Sequence, residues 1–415
     1  MNRQIQRNGK VFVGMSGGVD SSVSAALLKQ AGYDVTGVFI KVWQPDWIEC
    51  NWREERIEAM RVAAHLGIPF FTLDLEKEYK EGVIDYMIAE YAVGRTPNPD
   101  VMCNREVKFG AFWRWAKAKG ADFIATGHYA QVKELRDKNK ELRDTDKEGS
   151  GGRFSMLKGI DANKDQSYFL WTLTQEDLKH VMFPVGGMTK PEVRKLAQKF
   201  KLPNAYKKDS QGLCFMGKVD VKEFLAHYVE GNPAAKHGKV VDEVGKVIGK
   251  HPGALFFTIG ERHGFSIDAA HKTPDDEPYY VIGKDVSNNY ITVSNRIYLD
   301  THSNKTGLND GQPGILPGAV QSVRISKVNW IAGVPKVGRR LEARSRYRQA
   351  LQSTIVASIE GAANASAVSG NGAKGIEAVI EFDQPQDTLT PGQSLVMYDG
   401  EVCVGGGVIE NTRVQ

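Results

Sequence analysis

The sequence predicts an α/β protein: a parallel sheet with helices on both faces in its first half, and one or two small β-barrels or sandwiches in its second. Three observations carry this. Strand-like runs at 11–13, 34–43, 68–75 and 121–130 alternate with helical patterns at 21–30, 53–66, 76–93 and 104–119, and Gly32, Gly67 and Gly120 stand where helices should stop. A glycine-rich turn at 14–22 joins the first strand to the first helix. From residue 212 onward the character changes to short β-branched and aromatic runs punctuated by glycine.

The turn is Gly14, Met15, Ser16, Gly17, Gly18, Val19, Asp20, Ser21 and Ser22. Gly17 and Gly18 have no Cβ, so the backbone can turn tightly and approach a ligand. Asp20, Ser21 and Ser22 open a helix, whose free N–H groups and positive dipole end attract phosphate. The Gly-Lys-Ser/Thr ending of a Walker loop is missing, so no lysine clamps a γ-phosphate. Ligands of such sheets bind at the carboxyl ends of the strands. That edge carries residues 16–21, the end of the run at 34–43, and Thr126, Gly127 and His128.

Between two helices lies Thr96, Pro97, Asn98, Pro99, Asp100, Val101, Met102, Cys103 and Asn104. Its two prolines and Asn98 predict an exposed loop. Cys103 falls at or near the start of the next helix, where the dipole and free N–H groups favour thiolate; the plainer reading is a small buried hydrophobe. Residues 133–148 hold six Lys/Arg and six Asp/Glu, and Gly149, Ser150, Gly151 and Gly152 follow. That is a solvated loop with no chemistry to name. Lys164, Asp165, Gln166, Ser167 and Tyr168 precede a helical pattern at 166–180, with Asp165 or Ser167 available as its cap. Cys214 lies in a turn-rich loop at 208–215. Two loop cysteines allow one sulfur to be carried as a persulfide while the other attacks it and leaves a disulfide. Cys403 sits in a strand pattern and reads as core; Cys50 has no assignment. Between Arg324 and Arg348 there are eight Lys/Arg and one acid, Glu342. On a strand, Arg344, Arg346 and Arg348 would project from one face toward a phosphate backbone, with Tyr347 free to stack on a base.

At 415 residues the chain exceeds one ordinary core. Its 41% hydrophobic and 25% charged residues are those of a water-soluble protein, and a net charge of +4 excludes a polybasic tail. Four cysteines without a Cys-x-x-Cys pair point to a reducing compartment, and no metal site is legible. The first residues have no apolar segment of a signal peptide, and no run of about 18 apolar residues follows. The expectation is a cytoplasmic protein that does not enter a membrane.

Ser16 through Ser21 resemble the pyrophosphate loop, Ser-Gly-Gly-Xaa-Asp-Ser, of the PP-loop ATP pyrophosphatase superfamily, whose fold is HUP-like. Further motifs follow in order: Asn98-Pro99-Asp100 with Cys103-Asn104, residues 125–130, 164–169, 209–215 and 257–260, Arg346-Tyr347-Arg348-Gln349, and Pro391-Gly392-Gln393. The ordered set resembles the tRNA-specific 2-thiouridylases over residues 11–410. The resemblance implies an ATP domain (1–211), a small β-rich central domain (212–305) and a C-terminal tRNA-binding β-barrel (306–415). It implies ATP-dependent sulfur transfer to C2 of the wobble uridine of tRNAs for Lys, Glu and Gln, with Mg²⁺ and a persulfide donor or relay protein. Gly14, Met15, Ser16, Gly17, Gly18, Val19, Asp20, Ser21, Ile40 and Gly127 would hold ATP. Cys103 matches the nucleophile and Cys214 the persulfide carrier, with Asp100 beside them as base or orienting group. Asn98, Pro99, Asp100, His128, Lys164, Asp165, Gln166, Arg346, Tyr347 and Gln393 match tRNA contacts. Three alternatives stand beside this: another PP-loop adenylating enzyme, an RNA-binding protein with a merely structural glycine turn, and an iron–sulfur cluster on Asp100, Cys103 and Cys214.

Overall fold

A computed structural model describes residues 9–47, 52–135, 153–208, 221–229, 231–271, 278–295, 320–361, 375–386 and 389–410. The N-terminal half alternates β1 (Lys10–Gly14), α1 (Val19–Gln30), β2 (Asp34–Lys41), α2 (Trp52–Leu66) and β3 (Phe70–Asp74). A helical run follows: α3 (Glu76–Tyr79), a π-helical turn Lys80–Asp85, and α4 (Tyr86–Ala92). The next run is α5 (Pro99–Met102), a π-helical stretch Cys103–Ala111, and α6 (Phe112–Ala118), leading into β4 (Phe123–Ala125). Two expectations change here. Both predicted helices are broken by π geometry, and the second begins at Pro99 rather than at 104 because Asn98 caps it.

The strands pair in parallel, and with β7 (Val181–Met182) the order is β3-β2-β1-β4-β7. On β1, Val11 and Val13 face one hydrophobic cluster and Phe12 the other, so successive side chains are buried on opposite faces. The order reverses between β1 and β4, which opens a crevice at their carboxyl ends.

Two strands then leave this sheet as an antiparallel hairpin, β5 (Ala130–Leu135) and β6 (Arg153–Lys158). The predicted helix at 166–180 is two pieces. Ser167–Phe169 make one 3-10 turn, and α7 (Gln175–His180) starts afresh, because Thr174 and Asp177 form a capping box. Then come β7 (Val181–Met182) and α8 (Lys190–Lys199), capped by Thr189 and Glu192.

The central part holds α9 (Val221–Tyr228) and five strands: β8 (Gly238–Val241), β9 (Val247–His251), β10 (Ser266–Ile267), β11 (Tyr280–Asp285) and β12 (Tyr290–Ser294). They enclose Val240, Ile248, Phe257, Val281 and Ile291. The last part is an antiparallel barrel of β13 (Val320–Asn329), β14 (Arg340–Arg344), β15 (Gln352–Glu360), β16 (Glu377–Gln386), β17 (Ser394–Asp399) and β18 (Val402–Ile409). Pairing of β13 with the second half of β18 closes it. The first half of β18 pairs instead with β6, Val402 opposite Leu157 and Cys403 opposite Met156. The N-terminal hairpin thus continues the barrel's sheet. Cys403 is fully buried there, as its pattern predicts. No helix among the described residues is long and apolar enough to cross a membrane.

Candidate active site

The glycine turn sits at the crevice between β1 and β4. Met15 N–H donates to Val38 O (2.8 Å), and Ser16 N–H to Ser21 Oγ (3.3 Å). Gly17 has φ +74, and a Cβ on it would stand 2.6 Å from Glu55 O. Across the crevice, a Cβ on Gly127 would stand 2.6 Å from Ser21 N. Only glycine lets the chain after β4 lie against the open end of α1, so Gly127 belongs to the cradle that residues 14–21 form. Ile40 lies half-buried near the end of β2, on the same edge. Backbone N–H groups at a helix start, with two glycines and no room for larger side chains, fit a nucleotide's phosphates.

Three more residues complete this cradle, Tyr129 from the motif at 125–130 and two, Lys190 and Asn204, from outside the motifs. Lys190, the first residue of α8, donates to both carboxylate oxygens of Asp20 (2.7 and 2.9 Å), and Tyr129 Oη donates to the same carboxylate (2.8 Å). Asn204 Nδ2 donates to Gly17 O and Ser22 Oγ, both at 2.9 Å. The cation beside the turn is therefore supplied by a second helix, not by the turn itself. The Thr189–Glu192 capping box predicts that helix start but not where it points.

Asp100 and Cys103 lie on the helical run that Asn98 begins; Asn98 Oδ1 accepts from Val101 N–H (3.3 Å). Cys103 is one turn in and 4% exposed, and its N–H is engaged with Pro99 O and Asp100 O. The expected free N–H groups are therefore those of residues before it, and its thiol is in the core cluster. Burial pushes the Asp100 carboxyl above its ordinary value, against the pull of Lys108. His128 is also buried. Thr126 Oγ1 and His128 Nδ1 are 2.7 Å apart, and the His128 ring forms a three-ring cluster with Phe109 and Phe183. Burial first, then the positive Lys108, hold His128 well below its usual pKa. It is neutral at pH 7 and packs against the Cys103 helix.

The remaining motifs converge next to Asn98. Tyr168 Oη donates to Ser345 O (2.8 Å) and Ser394 O (3.0 Å), and Asn98 also hydrogen-bonds it. Gln393 Nε2 donates to Thr96 O (2.9 Å), and Arg346 Nη2 donates to Ile259 O (2.6 Å). Asn104 Nδ2 donates to Phe169 O (3.0 Å), and the Phe169 ring lies 4.8 Å from that of Tyr347. Gln166 holds Tyr129 through both its backbone N–H and its side chain, joining this cluster to the cradle. Lys164 is half-buried beside it.

The expected arginine row is absent. β14 ends at Arg344, and residues 345–349 turn back because Gln349 Oε1 accepts from Ser345 N–H (2.8 Å) and Arg346 N–H (3.1 Å). Arg348 has φ +64 and donates to Asn163 O. Arg344 is buried, paired with Asp165 and donating to Tyr398 Oη (2.9 Å). Asp165 is 3% exposed and also accepts from Gly159 and Ser167 N–H groups. The pair pins the 164–169 segment to the barrel from within. Alternating charge predicted a surface; one buried carboxylate decides otherwise. Cys50, the whole motif at 209–215 with Cys214, and most of the charged loop at 133–152 lie outside the described residues.

Family models match most of the chain. The tRNA methyl transferase HUP domain matches residues 9–218, the tRNA methyl transferase PRC-barrel domain 222–295, and the aminomethyltransferase beta-barrel domain 320–409. A Streptococcus sanguinis protein named tRNA-specific 2-thiouridylase MnmA is 42% identical over 404 residues, 97% of this chain and 95% of its own length. Its namesake from Streptococcus mutans is 42% identical over 405 residues, with the same coverage. The solved U34-tRNA thiolase NcsA from Methanococcus maripaludis is 18% identical with a TM-score of 0.33, covering 55% of this chain and 70% of its own; it adds nothing to the comparison.

Proposed function

This chain belongs to the tRNA-specific 2-thiouridylase family, and on that footing we propose that it replaces O2 of the wobble uridine of tRNA with sulfur in an ATP-dependent reaction. The observation that carries the reading is the glycine cradle at the β1–β4 crevice, with Asp20 fixed between Lys190 and Tyr129. ATP fits there with its phosphates on residues 14–21 and Gly127. Mg²⁺ enters with those phosphates and neutralises part of their charge.

Uridine O2 attacks the α-phosphorus and pyrophosphate leaves, so a poor oxygen leaving group becomes AMP. The N-terminus of α1 and Lys190 stabilise the charge that develops. Cys214 carries the sulfane sulfur as a persulfide. That sulfur bonds to C2, AMP departs, and the Cys103 thiolate attacks the Cys214 sulfur. The transferred sulfur gains two electrons, and the two thiols become a disulfide that a dithiol reductant opens again. In a second order of events Cys103 acts first and releases hydrosulfide, with the same balance. Buried Asp100 orients or deprotonates a group near Cys103. The base reaches the crevice unstacked and flipped. tRNA is held by Asn98, Pro99, Lys164, Arg346 and Tyr347, with sulfur from a persulfide donor, in the cytoplasm. His128 and Asp165 serve from beneath this surface.

The test is mass spectrometry of unmodified tRNA after incubation with the protein, Mg-ATP and a persulfide donor. Exchange of one oxygen for sulfur at the wobble uridine, dependent on ATP, is expected; an unchanged nucleoside overturns the reading. Methyl transfer, the wording of two family descriptions, would give a methyl mass gain without ATP. Iron in anaerobically purified protein, lost on Cys103→Ser, would favour the cluster alternative.

A further inference from the structure

Thr96, two residues before Asn98, is where all three parts of the chain meet. Its N–H donates to Pro391 O (2.8 Å) and its carbonyl accepts from Gln393 Nε2 (2.9 Å), both of the barrel. Its hydroxyl lies 3.4 Å from that of Thr258 in the central part. The same Gln393 amide reaches Pro97 O at 3.4 Å. Gly392 presses against this loop so closely that a Cβ would stand 2.8 Å from Thr96 N. One residue earlier, Arg95 bridges Glu90 at the end of its own helix (2.6 Å) and Glu410 past β18 (2.5 Å). Thr96 is 5% exposed, so these contacts are made away from water. The loop leads directly to the Asn98 cap, and the cap sets the helix bearing Asp100 and Cys103.

We propose that Gln393 and Thr96 are positioning residues for the thiol site: the barrel turn at 390–393 fixes the loop from which the Cys103 helix is aimed. The proposal rests on the thiolation reading for its consequence in the reaction, and on geometry alone for its consequence at the thiol. The amide of Gln393 is spent on the loop's carbonyls, so its main effect falls on rate and not on tRNA affinity. A misplacement of about 1 Å at a reacting group lowers rate by about 100-fold.

The experiment compares the whole protein with Gln393→Ala and Gln393→Glu, which keeps the shape but sets a carboxylate against two carbonyls. Single-turnover thiolation at saturating tRNA should slow at least about tenfold, with tRNA Kd nearly unchanged. The rate constant, unlike the amplitude, does not depend on how much protein is folded. Cys103 alkylation by iodoacetamide, followed by peptide mass spectrometry without tRNA or ATP, should quicken by about tenfold as the loop opens more often. A weakened Kd with an unchanged rate at saturation would make Gln393 a tRNA contact and overturn the proposal. An unchanged Cys103 alkylation rate would overturn it whether or not the protein thiolates tRNA. Failure of wild-type thiolation with faster variant alkylation would sink the proposed function and leave the positioning role standing.

Discussion

The glycine cradle and the thiol loop are held in opposite ways. The cradle is fastened within one domain. Ser16 meets Ser21, Gly127 lies on Ser21, and Lys190, Tyr129 and Asn204 come from the same α/β unit. The thiol loop is fastened from outside, by Gln393, Pro391 and Glu410 of the barrel and Thr258 of the central part. One half of the chemistry is a property of a fold; the other exists only when all three parts are assembled.

That contrast can be broken most sharply at Lys190. Lys190→Met leaves Asp20 without its cation, and tRNA-dependent AMP release is expected to fall by about 1,000-fold, with Cys103 alkylation unchanged. An equal change in alkylation would mean the two halves are one unit. Asp20→Ala should act in the same direction while sparing tRNA binding. Next is Arg344→Met, which strands Asp165 uncompensated in the interior. Loss of about 3–5 kcal/mol in chemical denaturation is expected, and fast exchange of the thiol loop before global unfolding would sharpen the contrast.

Acid tests the central part. Burial lowers the His251 pKa from 6.5 to about 4. The unfolded chain therefore binds the proton first, so this contribution is intact above pH 6.5 and is lost as pH falls toward 4. Up to about 3 kcal/mol is at stake, read by urea unfolding at both ends of that window. His251→Phe should flatten the fall. The smallest effect is Arg346→Ala. The Arg346 guanidinium also donates to Ile259 O, so the charge is shared with the protein; tRNA binding should weaken modestly and its salt slope should drop by about one contact.

These two halves also differ in how they read from sequence. The cradle is legible because its geometry is local: glycines, a helix start and a strand end lie within a few residues. Lys190 was missed because a capping box announces a helix but not its direction. The thiol loop was legible as a string of motifs and not as an arrangement, since the separation between Thr96 and Gln393 is 297 residues. The arginines at 344–348 show the limit of periodicity. Alternation predicts a face only while the strand continues, and Gln349 ends it. The three-part division was legible, but no pattern in residues 130–158 tells that their partner is β18.

That pairing has a consequence for anyone who would take the protein apart. Cutting after the first family module would leave β6 as a bare edge, its row of amide and carbonyl groups open to any passing chain. Removing the barrel would not liberate a smaller enzyme but produce an aggregating one. Genetic fusion, transplantation or exchange of barrels between relatives should succeed only if the 130–158 hairpin travels with its barrel.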